Sequence, residues 1–324
     1  MNRLLLLLIL LYTHPAYAEY KTPETIFDQP DLQGIWSNAT ITPLERPYNA
    51  KESSISKHDA QAWEQQANAY ISISEQPIDP DAPAPKTADP AKGYESFWVD
   101  RGTNLAIVNG AIRTSLISYP SNGKIPYRSS AQSKLQIFLS RFISGFDHPE
   151  QRSLGERCIV GYGSSGGPPM LPVLYNNHIQ IIQNKDHVLI HVEMNHDARI
   201  IRLNAPHTPL PAWLGNSIGI WEDETLVVTT KHFAKGQDCR ASMTHWFCMS
   251  ENATVTERFT RISDSQILYE FEIDDPESFS DVWKGEIPLN AAEGPIYEYA
   301  CHEGNYGMKN ILSGARQQEA ELKQ

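Results

Sequence analysis

The chain has little positive charge: 27 lysines and arginines stand against 39 aspartates and glutamates, for a formal net charge of −12. A protein of this sign repels phosphate backbones and anionic lipid headgroups. We therefore expect neither nucleic acid nor a membrane surface as a partner. The sequence also lacks, after its N-terminus, any apolar run long enough to span a bilayer, so no membrane insertion is expected. A protein partner stays unidentified.

Cysteine is scarce too, with four residues in the chain. Four cysteines in an exported protein suggest two disulfides, for which three pairings exist. Cys239 and Cys248 flank a short polar insert, which favours a local bond between them and leaves Cys158 to pair with Cys301. The alternative is that Cys301 is a reactive thiol.

Two motifs of common enzyme classes are missing. The loop at 161–169 is rich in Gly, Ser and Pro, but it has no Lys-Ser/Thr pair and no following helix, so it is not a phosphate loop. Within it, Gly163-Ser-Ser-Gly does not match the Gly-x-Ser-x-Gly of a nucleophile elbow, which argues against a serine hydrolase. We predict no cofactor and no metal, since the spacing of His178, His191 and Glu193 fits no zinc pattern.

The first 18 residues have the parts of a signal peptide. Arg3 provides the positive charge, residues 4–11 form a short apolar core, and Ala16-Tyr17-Ala18 satisfies the small-x-small cleavage rule. The sequence therefore predicts a periplasmic or secreted protein that is cleaved near Ala18. We expect residues 19–324 to form a single β-barrel domain with an irregular excursion at 44–103.

Most of the mature chain has the alternating pattern of β-strands. A Gly34-x-Trp36 strand comes first, and short strands separated by polar turns follow Cys158. Such spacing predicts a mainly β fold, an antiparallel meander closed as a lipocalin-like barrel, because closure removes exposed edges; a sandwich is the alternative. The later strands are predicted at 174–183, 187–194, 198–203, 217–221, 225–232, 253–262, 266–274, 282–289 and 295–300.

A few peripheral helices are expected beside the strands. Ser56 can cap a short helix that ends near Tyr70, whereas the Pro-, Asp- and Ala-rich residues 77–92 show no apolar period. A second helix opens at Ser129 or Ser130 and is ended by Gly145. Its apolar residues follow the i, i+3, i+4, i+7, i+8 rule, so it should pack on the sheet.

The hairpin at Lys185-Asp186 presents one apolar and one polar face. A two-residue turn there places Gln180 opposite His191 and His178 opposite Glu193. Isoleucines and valines make the other face a core wall. The polar face either meets water and covering loops or lines a ligand cavity.

Two segments carry the candidate catalytic groups. In residues 193–199, His196 beside Asp197 is a candidate acid–base pair, with Arg199 as a ligand-binding residue. Neighbours on a strand point apart, so this pair requires a turn; the alternative is a turn in which Asp197 bonds its own backbone. In residues 297–306, Cys301 would hold His302 and Glu303 at a strand end.

Three further ligand-binding residues are proposed. Tyr306 belongs to the segment 297–306, and Trp213 lies in a Pro-Ala-Trp-Leu-Gly loop. Arg113 lies inside an apolar strand, where a structural ion pair is the alternative.

The chain resembles a family of secreted bacterial β-rich proteins of unassigned function. The resemblance covers most of the mature chain and implies an exported β-rich protein, but it transfers no catalytic residue. Its motifs are Asp31-Leu-Gln-Gly-Ile-Trp, Arg113-Thr-Ser-Leu-Ile, Glu156-Arg-Cys-Ile, Gly167-Pro-Pro-Met-Leu-Pro, Tyr175-Asn-Asn, Glu193-Met-x-His-Asp-Ala-Arg, Gly219-Ile-Trp-Glu-Asp-Glu-Thr-Leu-Val-Val, Glu257-Arg-Phe-Thr-Arg and Tyr297-Glu-Tyr-Ala-Cys-His-Glu-Gly-Asn-Tyr.

Three functions are compatible with these patterns. The leading hypothesis is a barrel that binds a small, partly apolar molecule at a polar mouth built from 193–199 and 297–306. The second is a cofactor-independent hydrolase or lyase that uses His and carboxylate groups as acid and base. The third is an envelope scaffold whose acidic loops bind a partner.

Overall fold

A computed structural model describes residues 20–74, 81, 99–141, 143–237 and 239–323. The predicted signal peptide and almost all of the stretch 77–92 lie outside them. The strands are β1 (Gly34–Ser37), β2 (Ser54–Ile55), β3 (Ile107–Val108), β4 (Ala111–Arg113), β5 (Ile117–Tyr119), β6 (His178–Gln183), β7 (His187–Val192), β8 (Ala198–Leu203), β9 (Asn216–Glu222), β10 (Thr225–Lys231), β11 (Arg240–Ala241), β12 (Trp246–Phe247), β13 (Thr254–Ser263), β14 (Gln266–Asp274) and β15 (Trp283–Ala291). The helices are α1 (Lys57–Ser74), α2 (Ser129–Ser140), α3 (Cys301–Gly304) and α4 (Tyr306–Glu321).

Nine of the described strands close into a barrel, which confirms the predicted fold class. They follow the order β1-β6-β7-β8-β9-β10-β13-β14-β15, and β15 pairs back onto β1. All neighbours are antiparallel except β8 and β9, which run parallel because residues 204–215 return along the barrel between them. The predicted meander is therefore interrupted at one place, and the sheet is mixed.

The polar and apolar faces of the β6–β7 hairpin lie as the sequence predicts. Gln180 pairs with His191 across the ladder, and Ile181 pairs with Ile190. Ile179, Ile181, Ile190 and Val192 are all at most 2% exposed and belong to the core of the barrel. The alternation of one apolar and one polar residue thus sets the register, since a slip by one residue would expose the whole apolar set.

Two predictions are wrong, one about a strand and one about the packing of a helix. Residues 295–300 form no strand; Gly294 and Pro295 precede them, and the Tyr299 amide donates to the ring of His196 instead of to a ladder partner. Helix α2 packs on β12 and on the Cys239–Cys248 disulfide through Phe138, not on the barrel sheet. In α2 and just beyond it, Ile137, Leu139 and Ile143 are exposed.

The two ends of the barrel differ in what covers them. Turns of two or three residues join β6 to β7, β9 to β10 and β13 to β14 at one end. The other end, here called the loop end, receives the starts of β6, β8, β9, β13 and β15. The long connections reach this end, and Met170 and Leu171 of the 153–177 connection are fully buried there.

Side chains occupy the interior of the barrel. Fully buried residues include Trp36, Phe259, Tyr269 and Trp283. The Tyr269 hydroxyl accepts a hydrogen bond from the Met170 amide at 2.8 Å, so the 153–177 connection reaches into the interior. No helix in the described part of the chain has the length and apolar character needed to cross a membrane.

Candidate functional site

Two adjacent cavities at the loop end are lined by half of the predicted catalytic and ligand-binding residues. The larger, here called the mouth cavity, has a volume of about 700 Å³ and is lined by Glu193 together with residues 297–301, 304 and 305. The smaller, here called the second cavity, has a volume of about 420 Å³ and is lined by His196, Asp197, Arg199 and Trp213. Cys158 lines both. The predicted polar mouth is thus divided between two neighbouring spaces.

The centre of the mouth cavity is a histidine flanked by two carboxylates. His178 begins β6 and Glu193 follows β7, so the antiparallel ladder brings them opposite each other, with the Glu193 amide donating to the His178 carbonyl at 3.0 Å. Nδ1 of His178 lies 3.0 Å from Oε2 of Glu193 and 3.7 Å from Oδ2 of Asp100. The sequence left open whether the polar face of the hairpin meets water and covering loops or lines a cavity. His178 and Glu193 both line the mouth cavity.

The pKa values of two carboxylates of this site are shifted in opposite directions, one by burial and the other by hydrogen bonds. Glu193 is buried, and desolvation raises the pKa of Asp100 although the nearby His178 opposes the shift. Burial would also raise the pKa of Glu156, but hydrogen bonds from Arg152 and Ser153 hold it below its ordinary value. Glu156 is therefore an anion at neutral pH, fixed by an Arg152 side chain that is itself buried.

Tyrosines supply the apolar part of the wall. Tyr162, Tyr175, Tyr297 and Tyr299 all line the mouth cavity. Burial raises the pKa of Tyr162 to about 12, with the charge of Glu156 as the next cause. Its hydroxyl therefore stays protonated at neutral pH and remains a hydrogen-bond donor.

Both predicted disulfides are present, and one of them builds the cavity. Cys158 is bonded to Cys301 and Cys239 to Cys248, so Cys301 is not a free thiol. Asn305 adds a second tie, because its side-chain amide donates to the Glu156 carbonyl at 2.8 Å. The C-terminal segment is thereby held against residues 155–158, which form the opposite side of the mouth cavity.

Comparison with known proteins adds no assignment to this geometry. No protein-family model matches the chain. No curated protein matches it either. The family resemblance drawn from its motifs therefore stays a prediction.

The segment 193–199 does turn, as an acid–base role for His196 and Asp197 requires, but the two side chains form hydrogen bonds with different partners. Asn195 and His196 both have positive φ. Nε2 of His196 accepts a hydrogen bond from the Tyr299 amide at 2.9 Å, whereas Oδ2 of Asp197 accepts one from the Gly161 amide at 2.7 Å. Asp197 thus bonds the backbone of the 161–169 loop, not its own backbone. The two residues face different partners, and the His196 ring fastens the C-terminal segment.

The burial of Asp197 predicts a pH-dependent contribution to stability. Desolvation raises its pKa from 3.8 to about 6, against hydrogen bonds from Gly161 and Asn195. The native state thus binds the proton more tightly than the unfolded chain, so the added stability is complete below about pH 4 and lost as pH rises through 6. Relative to Asp197→Asn, the unfolding free energy of the wild type should fall by about 2.4 kcal/mol between pH 4 and pH 7. Urea titrations at stepped pH measure this difference, and a constant difference would contradict the prediction.

Of the remaining predicted site residues, two form structural ion pairs and three line neither cavity. Arg199 is buried and forms a bidentate ion pair with Glu257, although it also borders the second cavity. Arg113 forms an ion pair with Glu286 of β15, the structural alternative. His302, Glu303 and Tyr306 are exposed and line neither cavity. A catalytic or ligand-binding role for these five residues stays a prediction.

Sequence reasoning missed several residues of the mouth cavity. Asp100 comes from the connection before β3, whereas Tyr162 and Asn176 both come from the 153–177 connection, and only the fold brings these two connections together. The available signal was the hairpin register, which places His178 opposite Glu193. Within the described residues, no group of three or more His, Cys, Asp or Glu side chains is arranged to hold a metal ion.

Proposed function

We propose that the protein binds a small molecule in the mouth cavity, and that this molecule is neutral or cationic and has an aromatic or apolar body. The observation that carries the proposal is the composition of the wall, in which four tyrosines alternate with the carboxylates of Asp100, Glu156, Glu193 and Glu298. Concave sites with a mostly apolar wall and a few polar groups are the usual places for small ligands.

Charge supports the exclusion of anions. No lysine or arginine is among the described residues that line the cavity, and the chain as a whole is acidic. An anionic ligand would meet several carboxylates and no permanent positive charge among the described residues of the cavity wall. Tyrosine rings, in contrast, accept apolar groups by stacking and cations by their negative faces.

A matched pair of fluorescent probes tests this selectivity. N-phenyl-1-naphthylamine is neutral, and 8-anilino-1-naphthalenesulfonate has the same ring system with one negative charge. We expect the neutral probe to bind at least tenfold more tightly in fluorescence titrations at low ionic strength. Ala300→Trp, at an exposed position of the cavity wall, should fill the space and weaken the neutral probe.

Charge reversal locates the probe. Glu298→Lys should tighten the anionic probe by about threefold to tenfold, because two units of charge change within several ångströms of it, and leave the neutral probe within about twofold. Glu293→Lys makes the same charge change at an exposed position outside the cavity, so it should alter neither probe. Equal effects of the two variants, or no binding of the neutral probe, would refute the proposal.

A further inference from the structure

The His178–Glu193 pair has the arrangement of a general base and its orienting carboxylate. Carboxylate oxygens accept hydrogen bonds, so the two that approach Nδ1 place the ring proton there. Nε2 then carries the lone pair, and no described residue donates to or accepts from it. The Nε2 atom of a cavity-lining imidazole is thereby available to a bound molecule, which is the geometry that proton abstraction requires.

The surroundings of this base limit the reaction it can perform. No serine or threonine is among the described residues that line the mouth cavity, and both cysteines there are in a disulfide. The described lining therefore lacks the serine, threonine or thiol nucleophile that a histidine commonly activates, and we assign water as the partner of the base. The acidic wall favours a neutral substrate and repels an anionic product, and hydrolysis of a neutral ester has both properties.

We infer that the mouth cavity hydrolyses neutral carboxylic esters, with His178 as general base, Glu193 as its positioning residue and Tyr162 as donor to the oxyanion. This inference rests on the proposed binding of neutral molecules there. Nε2 of His178 takes a proton from water as the water oxygen attacks the acyl carbon. The bond from that carbon to the alkoxy oxygen then breaks, and the proton passes from Nε2 to the leaving oxygen. The products are a carboxylic acid, which ionises, and an alcohol.

Tyr162 suits the oxyanion role by position and by protonation. It lines the same cavity, its hydroxyl makes no hydrogen bond to another described residue, and its ring packs closely on Gly155. A Cβ at Gly155 would lie 2.7 Å from that ring, so only glycine allows the ring to stay there. A fixed neutral phenol can stabilise the negative charge that develops on the carbonyl oxygen.

The test uses the full mature chain with both disulfides intact and two chromogenic substrates, neutral p-nitrophenyl butyrate and anionic mono-p-nitrophenyl succinate. We expect kcat/KM to be higher for the neutral ester. His178→Gln should lower it by about a hundredfold or more, and Tyr162→Phe by about tenfold or more. His187→Gln, on the same hairpin but outside both cavities, should leave it within twofold. Equal rates for wild type and His178→Gln would overturn the inference.

Two further measurements separate the possible failures. Nitrogen NMR of the wild type should show His178 with its proton on Nδ1, and an Nε2-protonated ring would overturn the inference. The Glu193→Gln variant should keep this tautomer, while its kcat falls about tenfold or more. Melting curves confirm that each variant is folded. If N-phenyl-1-naphthylamine binds but the ester is not hydrolysed, the catalytic inference fails and the binding proposal stands. If neither occurs, both fail.

Discussion

Replacing Glu257 by Gln is expected to lower the free energy of unfolding by about 3–5 kcal/mol. Glu257 is 0% exposed and accepts hydrogen bonds from the Arg199 guanidinium and, at 2.8 Å, from the Tyr269 hydroxyl. Removing its charge leaves the buried Arg199 cation without compensation inside the barrel. Burial and the neighbouring Glu257 already raise the pKa of Tyr269 well above its ordinary value, so the phenol cannot supply the missing charge.

The double variant Arg199→Met/Glu257→Leu is the matched control. It removes both charges at once and replaces them with apolar side chains, so we expect it to be more stable than Glu257→Gln, because no buried charge is left unpaired. Urea unfolding of the oxidised protein, followed by tryptophan fluorescence, compares the variants. A double variant that is as unstable as Glu257→Gln would show that the hydrogen bonds to Tyr269 and Ser217, rather than the unpaired charge, determine the loss.

The barrel strands were predictable because each one has to separate an inner from an outer face. Residues 266–274 alternate strictly, and the predicted strand coincides with β14. The parallel pairing of β8 with β9 was not predictable, since alternation is the same in parallel and antiparallel strands. The direction depends on the path of the 204–215 connection, which is held by tertiary contacts such as the hydrogen bond from the Ala212 amide to the His232 carbonyl at 3.1 Å.

The sequence of the C-terminal region contains the pattern of a capped helix, which the sequence analysis did not use because it considered only the ionisable groups of residues 297–306. Asn305 caps α4 by accepting a hydrogen bond from the Met308 amide at 3.3 Å, and asparagine is a preferred residue at that position. Met308, Ile311, Leu312 and Ala315 follow with helical spacing, and Ala315 is buried. The Gly304-Asn305 pair is therefore a helix boundary, whereas the sequence analysis placed the groups of residues 297–306 at a strand end.

The candidate site was predictable only where local pairing determines it. The hairpin register alone places His178 opposite Glu193, because the two-residue turn at Lys185-Asp186 sets every pair after it. Asp100 and Tyr162 reach the same cavity from connections far away in the sequence. No periodic pattern records where such connections end, so these residues required the structure.

Removing the Cys158–Cys301 disulfide should destabilise the protein far more than removing Cys239–Cys248. The two bonds close sequence separations of 143 and 9 residues, for which the chain-entropy relation gives about 5 and about 2.5 kcal/mol. Cys158→Ser/Cys301→Ser and Cys239→Ser/Cys248→Ser are the matched double variants, and urea unfolding measures both losses. A larger loss for the short loop would contradict the expectation.

The same pair of variants also tests what the long-range disulfide does for the mouth cavity. Without it, the C-terminal segment is held there by weaker ties, among them the Asn305 bond to Glu156 and the Tyr299 amide bond to His196. We expect Cys158→Ser/Cys301→Ser to weaken binding of N-phenyl-1-naphthylamine by about tenfold or more under conditions in which the variant is folded. Cys239→Ser/Cys248→Ser should keep the wild-type affinity, because that disulfide packs under Phe138 and lines no part of the mouth cavity. Equal binding by both variants would mean that the Cys158–Cys301 disulfide is unnecessary for the cavity and that the hydrogen bonds suffice to form it.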